Sequence, residues 1–562
     1  MKFFRASVAV GVELPMYFIE STARDNVDDP AVPPPVSDVL KPFEDSDVAV
    51  KEIAQKLASG NNPNLVVMVH GFNNPYPAVL QTYTAAALAI NGDARIRADD
   101  GLVCVGYRWP SEKMGTPRHG TWDAMPTLPT WLFYAGAALG VVPFLLFWLV
   151  SHFALLPPDP LWWGDLITHV LTLAGLTLAG LVLTAALLRT IVYFRDTYRA
   201  TNYGAPDLVQ IIRAIDGELG NLRGRGKKND VQLSFIGHSM GGFVVTNTIR
   251  VLSDVFARPV SALNSYGANP YPDDAASPIR TIGDAFALKR FVLASPDIPA
   301  EMLLSNRGNF LVSALSRFEE AYLFCSEGDE VLRQISTLAN YFVFPTKSRN
   351  NGFRLGNVEI LSSGYGLITL QQGQDFLAML RVGNKTIREL NDAMEEATAR
   401  SQSQILPGHD PGPLRRTKPP LPTIFSYFDC TDYVDQDNTK DGPRGLLTFA
   451  LERKRRNPAA KLRWYAHLHL LFAYLTKLKP NVHGGYFEGL FSQQLMYRLA
   501  CLGFEGTIDA YDGPDTLWQT CKQKQIRALV SPSLAQRLAV PVQGLMSSVP
   551  AADTAAVPST GG

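Results

Sequence analysis

The chain has 562 residues, 46% of them hydrophobic and 19% charged, with a mean hydropathy of +0.01. Lys+Arg and Asp+Glu both number 52, so the net charge is zero. That excludes the basic excess of a dedicated nucleic-acid binder and the low hydrophobicity of a disordered chain. The charged fraction lies below the usual quarter, which implies apolar surface facing something other than water.

The N-terminus does not read as a secretory signal: the apolar run after Lys2 and Arg5 is broken by Glu13 and Pro15, with no clean cleavage site. Asp25–Val36 (DNVDDPAVPPPV) reads as a loop. Leu65–Val69 (LVVMV) and Leu102–Tyr107 (LVCVGY) are short apolar runs closed by turn signals, the pattern of strands buried on both faces. Next come two runs without Asp, Glu, Lys or Arg, Trp131–Leu156 and Leu166–Leu188. Each exceeds the roughly 20 residues that cross a hydrocarbon core as a helix, so a two-helix transmembrane hairpin is expected. Trp131, Trp148, Trp162, Trp163 and Tyr193 supply aromatic residues around the expected interfaces. Lys113 and Arg118 precede the hairpin, and Arg189, Arg195 and Arg199 follow it. The connector PPDPLWWGD carries Asp159 and Asp165 and no cation, so both flanks belong on the cytoplasmic side. This predicts a two-pass protein of the inner (cytoplasmic) membrane, with its soluble mass and both termini cytoplasmic. Cys104, Cys325, Cys430, Cys501 and Cys521 form no CxxC pair, which agrees with a reducing compartment.

Asp207–Leu219 reads as a helix, and Val231–Ile236 (VQLSFI), Arg290–Ala294 (RFVLA) and Ala321–Cys325 (AYLFC) as three further buried strands. Strands alternating with helices argue for a doubly wound, mostly parallel sheet. Ser401–Pro422 is polar and Pro-rich and reads as a loop; the stretch from about Ser547 reads as disordered.

The chemistry centres on Gly237-His238-Ser239-Met240-Gly241, a G-x-S-x-G motif between a buried strand and an apolar helix start, FVVTNTIRVL. A tight strand-to-helix turn exposes the serine oxygen in strained backbone, and the small Gly237 and Gly241 leave room for it. The helix N-terminus sets backbone N–H groups beside the reacting oxygen. His70-Gly71-Phe72-Asn73-Asn74-Pro75 follows the first buried strand and can aim a backbone N–H at the same pocket. An oxyanion hole from the N–H of Phe72, with Asn73 as second choice, and that of Met240 is expected. A serine hydroxyl needs a base. His409 sits in the Pro-rich loop, and His467 and His469 sit in an apolar helical run; His483, in NVHGGYF, is a late loop histidine beside glycines and is the candidate. The candidate acid is Asp329, in SEGD after AYLFC, with Asp297, in SPDIPAE, as its rival and Asp429 and Asp432 as outsiders. Each could also be an ordinary cap or turn aspartate.

HGFNNP, YRWPS (Tyr107–Ser111), GHSMGG, ASPDIPAE, SEGDEVL, GFRLG (Gly352–Gly356) and NVHGGYF together resemble bacterial esterase/lipase-like serine hydrolases of the α/β-hydrolase fold. The resemblance covers about Leu65–Arg108 and Tyr198–Phe487. It implies nucleophile Ser239, acid Asp329 and base His483, with no metal or organic cofactor. The expected organisation is an N-terminal part of the hydrolase domain over 1–112 and a transmembrane hairpin insertion over 131–192. The hydrolase domain continues over 198–400, followed by the Pro-rich loop 401–422. A C-terminal helical or lid extension over 423–540 carries the histidine, and a disordered tail spans 541–562. The expected activity is cleavage of carboxylic esters, including lipid or acyl-lipid esters, through an acyl-enzyme on Ser239. The expected partners are a small-molecule or lipid ester and the bilayer, entered through 131–156 and 166–188. The alternatives are a catalytically silent membrane-anchored scaffold of the same fold and an acyltransferase using the same triad. His152 and His169 are the only ionisable residues in the two runs, too few for a transport pathway.

Overall fold

A computed structural model describes residues 1–6, 14–23, 40–96, 101–111, 190–223, 231–256, 281–304, 315–337, 353–368, 373–405, 420–435, 460–476 and 480–538, with isolated positions between them. The strands are β1 (Lys2–Ala6), β2 (Met16–Glu20), β3 (Leu40–Pro42), β4 (Asn64–Val69), β5 (Leu102–Arg108), β6 (Val231–His238), β7 (Thr281–Ile282) and β8 (Phe286–Ala294). They continue as β9 (Glu320–Cys325), β10 (Glu359–Ile360), β11 (Gly366–Ile368), β12 (Leu380–Val382), β13 (Lys385–Thr386), β14 (Phe425–Asp429) and β15 (Arg527–Leu529). Among the described residues twelve strands form one sheet in the order β11-β15-β14-β9-β8-β6-β4-β5-β2-β1-β3, with β7 paired on β8. From β2 through β5, β4, β6, β8 and β9 to β14 every neighbour is parallel. Antiparallel β1 and β15 flank that block. A separate sheet joins β10, β12 and β13.

The central strands are buried on both faces, as continuous apolar runs require. Leu65, Val67 and Val69 of β4 enter one core, and Val66 and Met68 enter the other. The first core takes α1 (Ser46–Ser59) through Ile53 and Leu57. The second takes α2 (Tyr76–Asn91) through Tyr83 and Ile90. The first also receives α3 (Ala205–Arg223) and α4 (Met240–Phe256). Further along lie α5 (Ala300–Leu304), α6 (Ile387–Ile405) and α7 (Trp464–Thr476). The second core receives α8 (Leu490–Ala510) and α9 (Pro514–Gln523), before α10 (Pro532–Leu538). Strand order reverses at β4: β5 lies on one side of it and β6 on the other. A crevice opens beyond the carboxyl ends of such strands.

The mostly parallel α/β sheet agrees with the doubly wound expectation. The transmembrane runs lie almost wholly outside the described residues, as do the Asp25–Val36 loop and the tail 541–562. Among the described residues no helix is long and apolar enough to cross a membrane. Two boundaries are corrected. Residues 401–405 continue α6, and Leu421–Ile424 forms a 3-10 turn, so the Pro-rich loop is shorter than 401–422. The C-terminal part is not simply a helical or lid extension, because β14 and β15 are strands of the main sheet.

Those strands carry a buried ion pair. Arg527 Nη2 lies 2.7 Å from Asp429 Oδ2 and 3.6 Å from Asp432 Oδ2, with all three side chains inaccessible to solvent. Asp429 also accepts the N–H groups of Ile360 and Thr431, at 2.9 Å each. Removing one partner of a buried pair strands the other charge in low dielectric. Arg527→Met is therefore expected to destabilise the protein by about 3–5 kcal/mol, measured as a lowered urea midpoint.

Candidate active site

Ser239 directly follows β6 and has φ 53°, a left-handed conformation that non-glycine residues rarely adopt. The last residue of β8 and the segment after it clamp the serine: its N–H donates to the Ala294 carbonyl (2.9 Å), and its carbonyl accepts the Asp297 N–H (3.1 Å). The predicted small neighbours are sterically required. A Cβ on Gly241 would lie 2.3 Å from the Val69 carbonyl oxygen, and one on Gly237 would lie 2.7 Å from Gly242 Cα. The N-terminus of α4 thus packs directly on the end of β4.

The Ser239 hydroxyl donates to His483 Nε2 (2.7 Å), and His483 Nδ1–H donates to Asp329 Oδ2 (2.8 Å). Asp329 lies just beyond β9. Its Oδ1 accepts the N–H groups of Val331 (3.1 Å) and Leu332 (3.2 Å), which begin the π-helical turn Val331–Ser336. Its Oδ2 also accepts the Ser295 hydroxyl. Four donors fix the carboxylate, which is fully buried. Asn481 holds the His483 loop by accepting the N–H of Gly484 (2.9 Å) and donating to Glu488 (2.6 Å). From β6, His238 Nε2–H donates to the His483 carbonyl (3.0 Å). Burial pushes the His238 pKa down to about 3, with the neighbouring His483 adding to the shift, so this ring is a neutral donor.

Asp297 does not reach the histidine. Its Oδ1 lies 3.3 Å from Arg354 Nε, and its Oδ2 accepts the Ser336 hydroxyl (3.1 Å). Asp429 and Asp432 belong to Arg527. His467 pairs with Glu330 and lies 3.0 Å from Arg333 Nη1 through its other nitrogen. His409 lies outside the described residues.

The loop His70–Asn74 leaves β4 beside Ser239: a Cβ on Gly71 would come within 2.9 Å of Ser239 Cβ. The Phe72 ring meets those of His483 and Tyr193 edge-on, at 6.2 and 5.7 Å between centroids. Asn73, the second choice for the oxyanion donor, has φ 58° and commits its N–H to Asp196 Oδ2 (2.9 Å). That leaves Phe72 as the loop candidate. Met240 opens α4, so its N–H is among the four that a helix leaves without an intrahelical acceptor. The YRWPS segment braces this loop. The Trp109 indole stacks on His70 at 5.2 Å and donates to the His70 carbonyl (2.8 Å). The Ser111 hydroxyl accepts the Asn74 N–H (3.2 Å). Among the described residues no His/Cys/Asp/Glu group could hold a metal ion, and all five cysteines are free.

Ser239, Met240, Gly237, Gly241, Phe72, His483 and Asp329, all expected from the sequence, lie together in the structure. The supports His238, Ser295, Asn481 and Asp196 were not among the expected site residues. His238, Ser295 and Asn481 lie inside quoted motifs, but the partners of His238 and Ser295 are distant in the chain. Asp196, between Arg195 and Arg199, gave no local signal. In comparisons with protein-family models, curated proteins and solved structures, none matches this chain.

Burial holds His70, like His238, at a pKa of about 3, against an ordinary value of 6.5. Between those values the unfolded chain binds protons that the folded chain refuses, so stability rises with pH and is lost on acidification. Each ring contributes a slope of about 1.4 kcal/mol per pH unit. His238→Gln, which keeps an N–H donor, is expected to flatten the dependence of Tm on pH between 6.5 and 4. An unchanged slope would mean that the folded ring takes up the proton.

Proposed function

We propose that this protein is a membrane-anchored serine hydrolase of the α/β-hydrolase fold that cleaves carboxylic esters. The observation that carries the reading is the continuous hydrogen-bond chain from Asp329 through His483 to Ser239, at 2.8 and 2.7 Å. The left-handed serine at the strand-to-helix turn supports it, as does the resemblance of the GHSMGG, HGFNNP and NVHGGYF segments to esterase/lipase-like hydrolases.

In this reading Ser239 Oγ attacks the ester carbonyl carbon while His483 Nε2 takes the hydroxyl proton. Asp329 holds the Nδ1–H tautomer and stabilises the imidazolium. The N–H groups of Phe72 and Met240 receive the oxyanion. Collapse of the tetrahedral adduct breaks the bond to the alcohol, which leaves with the proton from His483. Water then adds to the acyl-Ser239 ester with His483 as base, and release of the acid restores the serine.

The two apolar runs support the anchor. The few described positions of the second run, Leu166, His169, Val170, Leu173, Leu176 and Gly180, are helical, and Val170 and Leu176 are exposed apolar side chains. A catalytic domain tied to a bilayer lies close to lipid esters, which makes an acyl-lipid the favoured substrate class.

A fluorophosphonate probe is expected to label the wild type and not Ser239→Ala. Ser239→Ala and His483→Ala are each expected to lower kcat for p-nitrophenyl butyrate by at least about 10⁴-fold without lowering Tm. An unlabelled wild type, or full turnover by pure Ser239→Ala, removes the enzyme reading. For the anchor, the full chain is expected to stay with membranes through an alkaline carbonate wash. Release into the supernatant would remove the anchor and leave the hydrolase reading standing.

A further inference from the structure

The oxyanion loop is held from outside the sheet. The described helical stretch 190–199 follows the second apolar run in the chain and continues through the π-helical turn Ala200–Gly204 into α3. From it, Asp196 reaches across to the loop His70–Asn74. One carboxylate oxygen, Oδ2, accepts the Asn73 N–H (2.9 Å) and the Ser111 hydroxyl (2.8 Å), and that hydroxyl accepts the Asn74 N–H. The other, Oδ1, lies 2.9 Å from Arg195 Nη2 and 3.9 Å from Arg199 Nη1. The side chain is wholly buried. Tyr193, one turn earlier, packs on the Phe72 ring, and Arg354, the partner of Asp297, donates to its hydroxyl (3.4 Å).

A buried carboxylate is costly unless its oxygens are occupied, and this one is occupied by the loop. Asn73 has φ 58°, a left-handed conformation uncommon outside glycine, and its N–H is tied to Asp196 there. Relaxing Asn73 turns the preceding peptide plane, the one next to the Phe72 N–H. An oxyanion donor counts only where it is pre-aimed at the developing charge.

We propose that Asp196 is the positioning residue of the oxyanion hole: it pins the left-handed Asn73 backbone so that the Phe72 N–H faces the carbonyl attacked by Ser239. It makes no contact with the reacting atoms. The inference rests on the hydrolase reading. It also makes the helix that leaves the expected membrane hairpin part of the catalytic scaffold.

The test uses the full-length protein, p-nitrophenyl butyrate and a trifluoromethyl ketone, which forms an oxyanion adduct with an active serine. Asp196→Ala is expected to lower kcat about 10²-fold with KM little changed. The inhibition constant of the ketone should rise in step with the loss of kcat/KM. The midpoint of the pH profile should stay where it is, because the Asp329–His483–Ser239 chain is untouched. A merely structural aspartate would change Tm or the fraction of active sites, and not this ratio. Should Asp196→Ala fail to fold, Ser111→Ala, which removes one of the two tethers, is expected to move kcat and the ketone affinity in the same direction by a smaller factor. A folded variant that keeps wild-type kcat and ketone affinity overturns the assignment. If the wild type itself neither turns over ester nor binds the ketone, the hydrolase reading fails with it; if only the Asp196 and Ser111 variants match an active wild type, the positioning role alone fails.

Discussion

Everything at the site depends on a close approach: the N-terminus of α4 lies against the end of β4 with no room for a side chain between them. Gly241 meets the carbonyl oxygens of Val69 and His70, and Gly71 meets Ser239. That contact brings the serine, the first helical N–H groups and the loop after β4 within reach of one carbonyl group. It also obliges Ser239 to take a positive φ, and the strain is borne by hydrogen bonds to the end of β8 and the segment after it. The left-handed serine follows from parallel strands closing on a helix start, which is why the geometry arises at the strand-order reversal around β4 and not elsewhere in the sheet.

A second constraint separates the acids. Several buried carboxylates lie at or just beyond the carboxyl ends of β8, β9 and β14, and each needs donors to be held there. Asp297 has Arg354 beside it, and Asp429 and Asp432 share Arg527. Asp329 is held by two backbone N–H groups, a serine hydroxyl and the imidazole N–H of His483. Neutral donors orient the carboxylate and leave its charge to act on the ring. The ion pairs around it keep the competing aspartates turned away.

The third feature is the way distant segments are tied to a short loop. His70–Asn74 is braced by Trp109 and Ser111 from the segment after β5 and by Asp196 from the stretch after the apolar runs. A short loop that leaves the sheet cannot satisfy its backbone N–H groups internally, so its shape has to come from neighbours. The insertion between Ser111 and Asp196 is thereby closed by a direct hydrogen bond between its two flanks. Its ends are held together irrespective of what lies between them.

The sequence by itself determined the central strands, because β4, β5, β6, β8 and β9 are buried on both faces and so read as unbroken apolar runs ending in turns. It also determined the serine turn, since only glycines fit at 237 and 241. The edge and C-terminal strands were illegible. β1 has five residues, of which only the adjacent Phe3 and Phe4 are buried, so it shows no strand period, and its partners are set by register with β2 and β3. β15 is three residues long and contains Arg527, a residue that reads as surface until Asp429 is seen opposite it. The tertiary structure alone distinguished Asp329 from Asp297, because the difference lies in a partner, Arg354, 57 positions further along the chain. It alone revealed Asp196, whose significance depends on a loop more than a hundred residues away. Local periodicity reports which face of an element is apolar; it carries no information about which buried charge meets which donor, and that pairing decides the roles of the carboxylates in this fold.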